Sequence, residues 1–233
     1  MVWIHGGGNL GGAGSEDAFD GTQLARRGVA VVTFSYQLGA FGFLAHPDVG
    51  ANFAVLDHVA ALSWVASNIA AFGGDPSNVT IFGQSAGALA VRTLLSASRA
   101  RGLFHRAIMQ SAGFEPLAGA LPRSSTRVQK ATEQLFDRLG SRDLHTLRQI
   151  PVQEVLQASL ELSGVITPPG QVHTPANLVW NPVSDGDVVA EQDFSGWAPN
   201  VPVMLALSKT KHATSSNQQG RTLATPWYRW PVS

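Results

Sequence analysis

The sequence predicts an α/β fold in which a mostly parallel sheet is flanked by helices. Two observations carry that prediction. Short apolar runs rich in β-branched residues alternate with segments of helical periodicity along the first half of the chain, and glycine-rich bends separate them. Residues 2–5 (Val2, Trp3, Ile4, His5) form a short apolar run that enters a glycine-rich loop at 6–14. Residues 21–27 have helical character, and 29–36 is a β-branched and aromatic run of the kind found in central strands. Over 52–72 the apolar positions Phe53, Leu56, Val59, Ala60, Trp64 and Ile69 recur at helical spacing, and Gly73-Gly74-Asp75-Pro76 supplies the breakers that end a helix. A strand at 79–82, a helix at 86–96 and a strand at 107–110 follow. Beyond residue 113 the character changes to amphipathic helical stretches at 124–139 and 143–162, broken at Gly140 and Pro151, which predict a cap-like region over the sheet. A proline-containing loop at 167–182 precedes a last strand at 201–205.

Composition narrows the function classes. Sixteen basic residues balance sixteen acidic ones, which removes the electrostatic footprint of a protein that binds nucleic acid or an anionic membrane and points to a small neutral partner. Only 14% of residues are charged against 44% hydrophobic, so the chain is rich in core and poor in surface charge. The absence of cysteine rules out disulfides and thiolate metal sites, and the seven histidines show no metal-ligand spacing, so no metal or cofactor is expected. Residues 28–47 carry no charge, yet Ser35, Gln37, Gly39, Gly42 and His46 interrupt them; a strand followed by a loop is expected there, not a membrane span. The run after Met1 is too short for a signal-peptide core and has no basic residues before it, so a cytoplasmic location is expected if the chain is complete as given.

Chemistry enters at Gly83-Gln84-Ser85-Ala86-Gly87. A glycine two residues before and two after a serine lets the chain turn from strand to helix so sharply that the hydroxyl stands exposed above the sheet edge. The helix that follows aims its N-terminus at the same place, making the Ala86 N–H available to a developing oxyanion. Upstream, His5-Gly6-Gly7-Gly8 follows a strand and offers bare glycine amides that a carbonyl oxygen can approach unobstructed. The competing reading, a phosphate-cradling loop, lacks both G-x-x-x-x-G-K-[ST] and G-x-G-x-x-G.

With both motifs present the chain resembles the type-B carboxylesterase and cholinesterase family of α/β-hydrolases. The resemblance runs through residues 2–8, 36–44, 52–56, 68–80, the serine turn, 102–108 and Gln110-Ser111, and resumes at 182–205. It implies an α/β-hydrolase fold, partial in this chain, and a carboxylic ester as substrate. Ser85 would be the nucleophile, with Gly7, Gly8 and Ala86 as oxyanion donors. It further implies a single incomplete domain: a sheet core at 1–113, a cap-like region at 114–181, a return to the sheet at 182–205 and an irregular tail at 206–233. Two departures touch the site. Gln84 stands where the family usually has glutamate, and Asn9 where an aromatic is common, leaving that side of the acyl pocket more polar.

The triad's acid and histidine are not found. In this fold the order along the chain is serine, acid, histidine. His5 belongs to the oxyanion loop, and His46, His58 and His105 are expected to be structural. His145 lies in a polar helix, and neither His173 nor His212 follows an acid in matching context. Lys209 stands about where the acid is expected. The chain is therefore expected to cover less than half of a typical member and to turn over esters barely, if at all, since a triad without its base leaves only roughly 10³–10⁴-fold catalysis over water. A non-catalytic binding or adhesion module of the same fold is the alternative. Family-like sequence ends at Leu205 on this reading, and residues from about Ala206 to Ser233, with no apolar periodicity, are expected to be out-of-frame translation.

Overall fold

The computed structural model describes residues 1–111, 125–164, 178–189 and 200–206. Among the described residues, five strands form one sheet: β1 (Val2–Ile4), β2 (Val32–Thr33), β3 (Thr80–Gln84), β4 (Arg106–Gln110) and β5 (Val203–Ala206). They lie in the order β2-β1-β3-β4-β5, and every pairing is parallel. Register places Ile4 beside Gly83 and Gly83 beside Met109, so the C-terminal ends of β1, β3 and β4 finish at one edge. Parallel strands need crossovers, and here these are helical.

The helices are α1 (Thr22–Ala25), α2 (Gly39–Phe43), α3 (Phe53–Asn68), α4 (Ala86–Ser96), α5 (Ser125–Arg138), α6 (Leu144–Leu147) and α7 (Val152–Leu162). A 3₁₀ turn, Ile69–Phe72, extends α3 and ends at Gly73 in the left-handed conformation, φ 77°. Ile4, Ile81 and Met109 from the strands, Leu62 and Val65 from α3, and Val91 and Leu94 from α4 share one buried core. The combined stretch Phe53–Phe72 is long and apolar enough to cross a membrane by length and composition. Here Ala54, Val55, Leu62, Val65 and Ile69 of that stretch are buried in the core cluster.

Three expectations need correction. The run 29–36 yields only two strand residues, because among the described residues β2 pairs only with β1, which is itself three residues long. The helix expected over 21–27 contracts to Thr22–Ala25. Residues 39–43, expected in a loop, form α2: Gly42 lies so close to the Gln37 carbonyl that a Cβ would sit 2.1 Å from its oxygen, a packing that only this glycine permits. α7 packs against α5 and α2, and α2 against α3. Ser159 Oγ accepts from the Ala40 amide at 2.9 Å, and Thr132 Oγ1 accepts from the Ala45 amide at 3.2 Å. The loop expected at 167–182 is described only from Leu178 onward, and the tail beyond Ala206 lies outside the described residues. Ala206 itself belongs to β5 and accepts from the Ser111 amide at 2.7 Å.

Candidate active site

The serine turn is built by backbone proximity. β3 ends at Gln84, α4 begins at Ala86, and Ser85 between them adopts φ 55°, ψ −122°. A non-glycine residue in such a region costs on the order of 1–3 kcal/mol and persists only where its surroundings hold it. They do: Ser85 N–H donates to the Gln110 carbonyl of β4 at 3.0 Å, and the Ser85 carbonyl accepts from Leu89 at 3.1 Å as the first bond of α4. The flanking glycines are obligatory. A Cβ on Gly87 would stand 2.1 Å from the Ile4 carbonyl oxygen, and one on Gly83 would stand 2.5 Å from the Gly87 carbonyl. Helix α4 is thereby pressed onto the end of β1.

The glycine-rich loop leaves β1 beside that turn. A Cβ on Gly6 would lie 2.8 Å from the Gln84 carbonyl oxygen and 3.4 Å from Ser85 Cβ. The loop thus abuts the serine turn. Gly7, with φ 110°, and Gly8, with φ 64°, carry the chain around a bend in which the Gly7 carbonyl accepts from Leu10 and Gly11 at 3.1 and 3.2 Å. Among the described residues, nothing accepts a hydrogen bond from the amides of Gly7, Gly8 or Ala86. Ser85 itself is half-buried, and free backbone N–H groups of this kind can stabilise negative charge where they are aimed at it. Gln84 is exposed at the end of β3. Asn9 departs from expectation. It is buried, adopts φ 62°, and its side-chain amide donates to the Trp180 carbonyl (3.1 Å) and Asn181 Oδ1 (3.2 Å). It fastens the loop to the 178–189 segment and presents little open polar surface.

Among the described residues, no imidazole or carboxylate hydrogen-bonds Ser85 Oγ. His46 lies between Asp48 and Glu133, His105 Nδ1 accepts from the Val79 amide, and His145 sits on α6. His173 and His212 fall outside the described residues. His5 and His58 are both buried, and both pack against Tyr36. Burial, with a smaller contribution from nearby His5, lowers the His58 pKa to about 3, so the ring is neutral. Burial likewise pushes the Tyr36 phenol above its usual range. This aromatic group escaped the sequence reading because His58 lies at a helical position whose polar type predicts exposure; its apolar neighbours Val55 and Leu62 at helical spacing were the available signal.

The model of the carboxylesterase family matches residues 1–223. The chain belongs to the carboxylesterase family. The match runs past Leu205, so family-like sequence extends further than the motifs alone indicated. Among the relatives of this carboxylesterase chain, fumonisin B1 esterase of Sphingopyxis macrogoltabida is 37% identical over 220 residues, covering 88% of this chain and 38% of that protein. Para-nitrobenzyl esterase of Bacillus subtilis (strain 168) is 44% identical over 174 residues, covering 70% and 33%. The chain thus spans well under half the length of these relatives. A solved carboxylesterase of Geobacillus stearothermophilus superposes with a TM-score of 0.77 at 41% identity, covering 89% of this chain and 44% of that one. A solved PNB esterase does so with a TM-score of 0.80 at 32% identity, covering 94% and 48%. The parallel sheet and its helices are therefore part of an α/β-hydrolase fold.

Proposed function

We propose that this carboxylesterase chain carries the nucleophile and oxyanion machinery for hydrolysis of small-molecule carboxylic esters. Ser85 Oγ would add to the ester carbonyl carbon while its proton passes to a base. The carbonyl oxygen would take up the negative charge against the amides of Gly7, Gly8 and Ala86. Collapse of this adduct breaks the bond to the alcohol, which leaves with a proton, and water then releases the acid from acyl-Ser85. The observation that carries this reading is the strained Ser85, φ 55°, on a strand-to-helix turn against a loop whose amides are unengaged.

The 233-residue chain by itself is proposed to be inactive or nearly so, because among the described residues no imidazole or carboxylate hydrogen-bonds Ser85 Oγ. That same observation favours the second reading, a non-catalytic binding module. The test is hydrolysis of p-nitrophenyl butyrate together with labelling by a fluorophosphonate. Slow labelling confined to Ser85 and lost in Ser85→Ala, with hydrolysis near background, is expected. Absence of labelling favours the binding module. Turnover of about 1–10³ s⁻¹, abolished in Ser85→Ala, would overturn the inactivity and direct attention to His173 and His212.

A further inference from the structure

Tyr36 takes no part in the chemistry above, yet it is buried at the root of the oxyanion loop. Its hydroxyl donates to the His5 carbonyl at 2.8 Å, and its ring stacks on the His5 imidazole with centroids 4.3 Å apart and planes 22° apart. His58 also packs against Tyr36, in an edge arrangement with centroids 4.5 Å apart. The His5 carbonyl is also a point where the serine turn approaches, since a Cβ on Gly87 would lie 2.9 Å from its oxygen.

His5 passes this restraint on. Its Nδ1 lies 2.8 Å from the Gly6 carbonyl oxygen, which can only accept, so Nδ1 carries the ring proton. Nε2 is buried and, among the described residues, unpartnered, as befits the unprotonated nitrogen of that tautomer. The Gly6–Gly7 peptide is trans and planar, so its C=O and N–H point in opposite directions. Holding the Gly6 carbonyl against the imidazole therefore turns the Gly7 N–H away from the His5 ring, on an exposed residue with no acceptor among the described residues.

We infer that Tyr36 is a positioning residue: by fixing the His5 carbonyl and imidazole, it sets the plane of the peptide that presents the Gly7 amide to the oxyanion. This rests on the proposed role of Gly7 as an oxyanion donor. Tyr36→Phe keeps the ring and deletes the hydroxyl, and Thr132→Val, which deletes a buried hydroxyl of α5, serves as control. In ¹⁵N spectra of the full chain, Tyr36→Phe is expected to move the Gly7 and Gly8 amide resonances and leave those of β4 in place, while Thr132→Val moves neither glycine. Fluorophosphonate labelling of Ser85 should slow about tenfold in Tyr36→Phe, less than the loss expected from removing an oxyanion donor altogether. Unmoved glycine amides, or equal movement in both variants, would overturn the inference. So would a His5 ring in the unmodified chain whose ¹⁵N shifts place the proton on Nε2, a readout that needs no variant to fold. If the unmodified chain is not labelled at all, the proposed nucleophile fails, and the amide and tautomer readouts still decide the role of Tyr36.

Discussion

The serine turn and the helical region around α7 sit on the same scaffold and are held by opposite means. At the turn, segments meet because side chains are missing: Gly83, Gly87 and Gly6 let three backbones approach to distances at which a Cβ would collide. Around α7, segments meet through side chains. Trp180, 1% exposed, donates from Nε1 to the Ser159 carbonyl at 2.9 Å while Ser159 Oγ receives the Ala40 amide, so an indole and a hydroxyl tie the 178–189 segment to α7 and α7 to α2. A second tie of this kind joins Asn52, ahead of α3, to both backbone polar groups of Val183 and to Asp185. The first kind of contact tolerates no added atom, and the second tolerates no lost one.

Mutations can break that comparison in either direction. The largest effect is expected at Trp180→Ala, which empties a buried indole site and strips the Ser159 carbonyl of its donor; a loss of about 4 kcal/mol in urea unfolding is expected. A loss below 1 kcal/mol would show that α7 is not held by this residue. Gly87→Ala adds one methyl where the Ile4 carbonyl stands, and about 3 kcal/mol of destabilisation is expected from overpacking against backbone that cannot yield. Near-neutral behaviour of this variant in thermal unfolding would mean that the close approach of α4 to β1 is not obligatory.

A smaller effect sharpens the role of the buried aromatic group between the two regions. The His58 pKa falls from the ordinary 6.5 to about 3 in the fold, so below pH 6.5 the unfolded chain binds a proton that the folded chain refuses. The contribution of neutral His58 is present at pH 7 and is lost as pH falls from about 6.5 towards 3. At pH 5 the chain is expected to be about 2 kcal/mol less stable than at pH 7 from this group alone. His58→Phe should flatten that slope in urea titrations across pH 7 to 5; an unchanged slope assigns it to other groups.

The same contrast explains how much was legible in the sequence. Glycine spacing around Ser85 carried the turn, and α4 begins and ends where the sequence placed it, at Ala86 and Ser96. The serine turn and the glycine loop beside it could be located because their signal is a local pattern of missing side chains. Contacts made by side chains across the chain left no comparable trace. Nothing local in Asn9 announces Trp180 and Asn181, 171 and 172 residues away, and Ser159 gave no sign of Ala40. Amphipathicity misled in α7, where Ala158 and Ser159 are buried while Val152, Leu156 and Leu160 are exposed, because α2 approaches along a face that admits only small residues. Helix α2 went unseen because Gly39 and Gly42 are poor helix formers, and tertiary packing overrides that preference.

The all-parallel order of the sheet also sets when its parts can assemble. Ile81 and Ala107 pair across 26 residues of chain, whereas Ala107 and Val203 pair across 96. Closing the longer loop costs about 1 kcal/mol more in chain entropy, and that cost falls before any contact of β5 repays it. During synthesis, β3, α4 and β4 have all emerged while β5 is still untranslated. The nucleophile turn can therefore dock on β1 first, and β5 joins as a latecomer to an edge that β4 has left open.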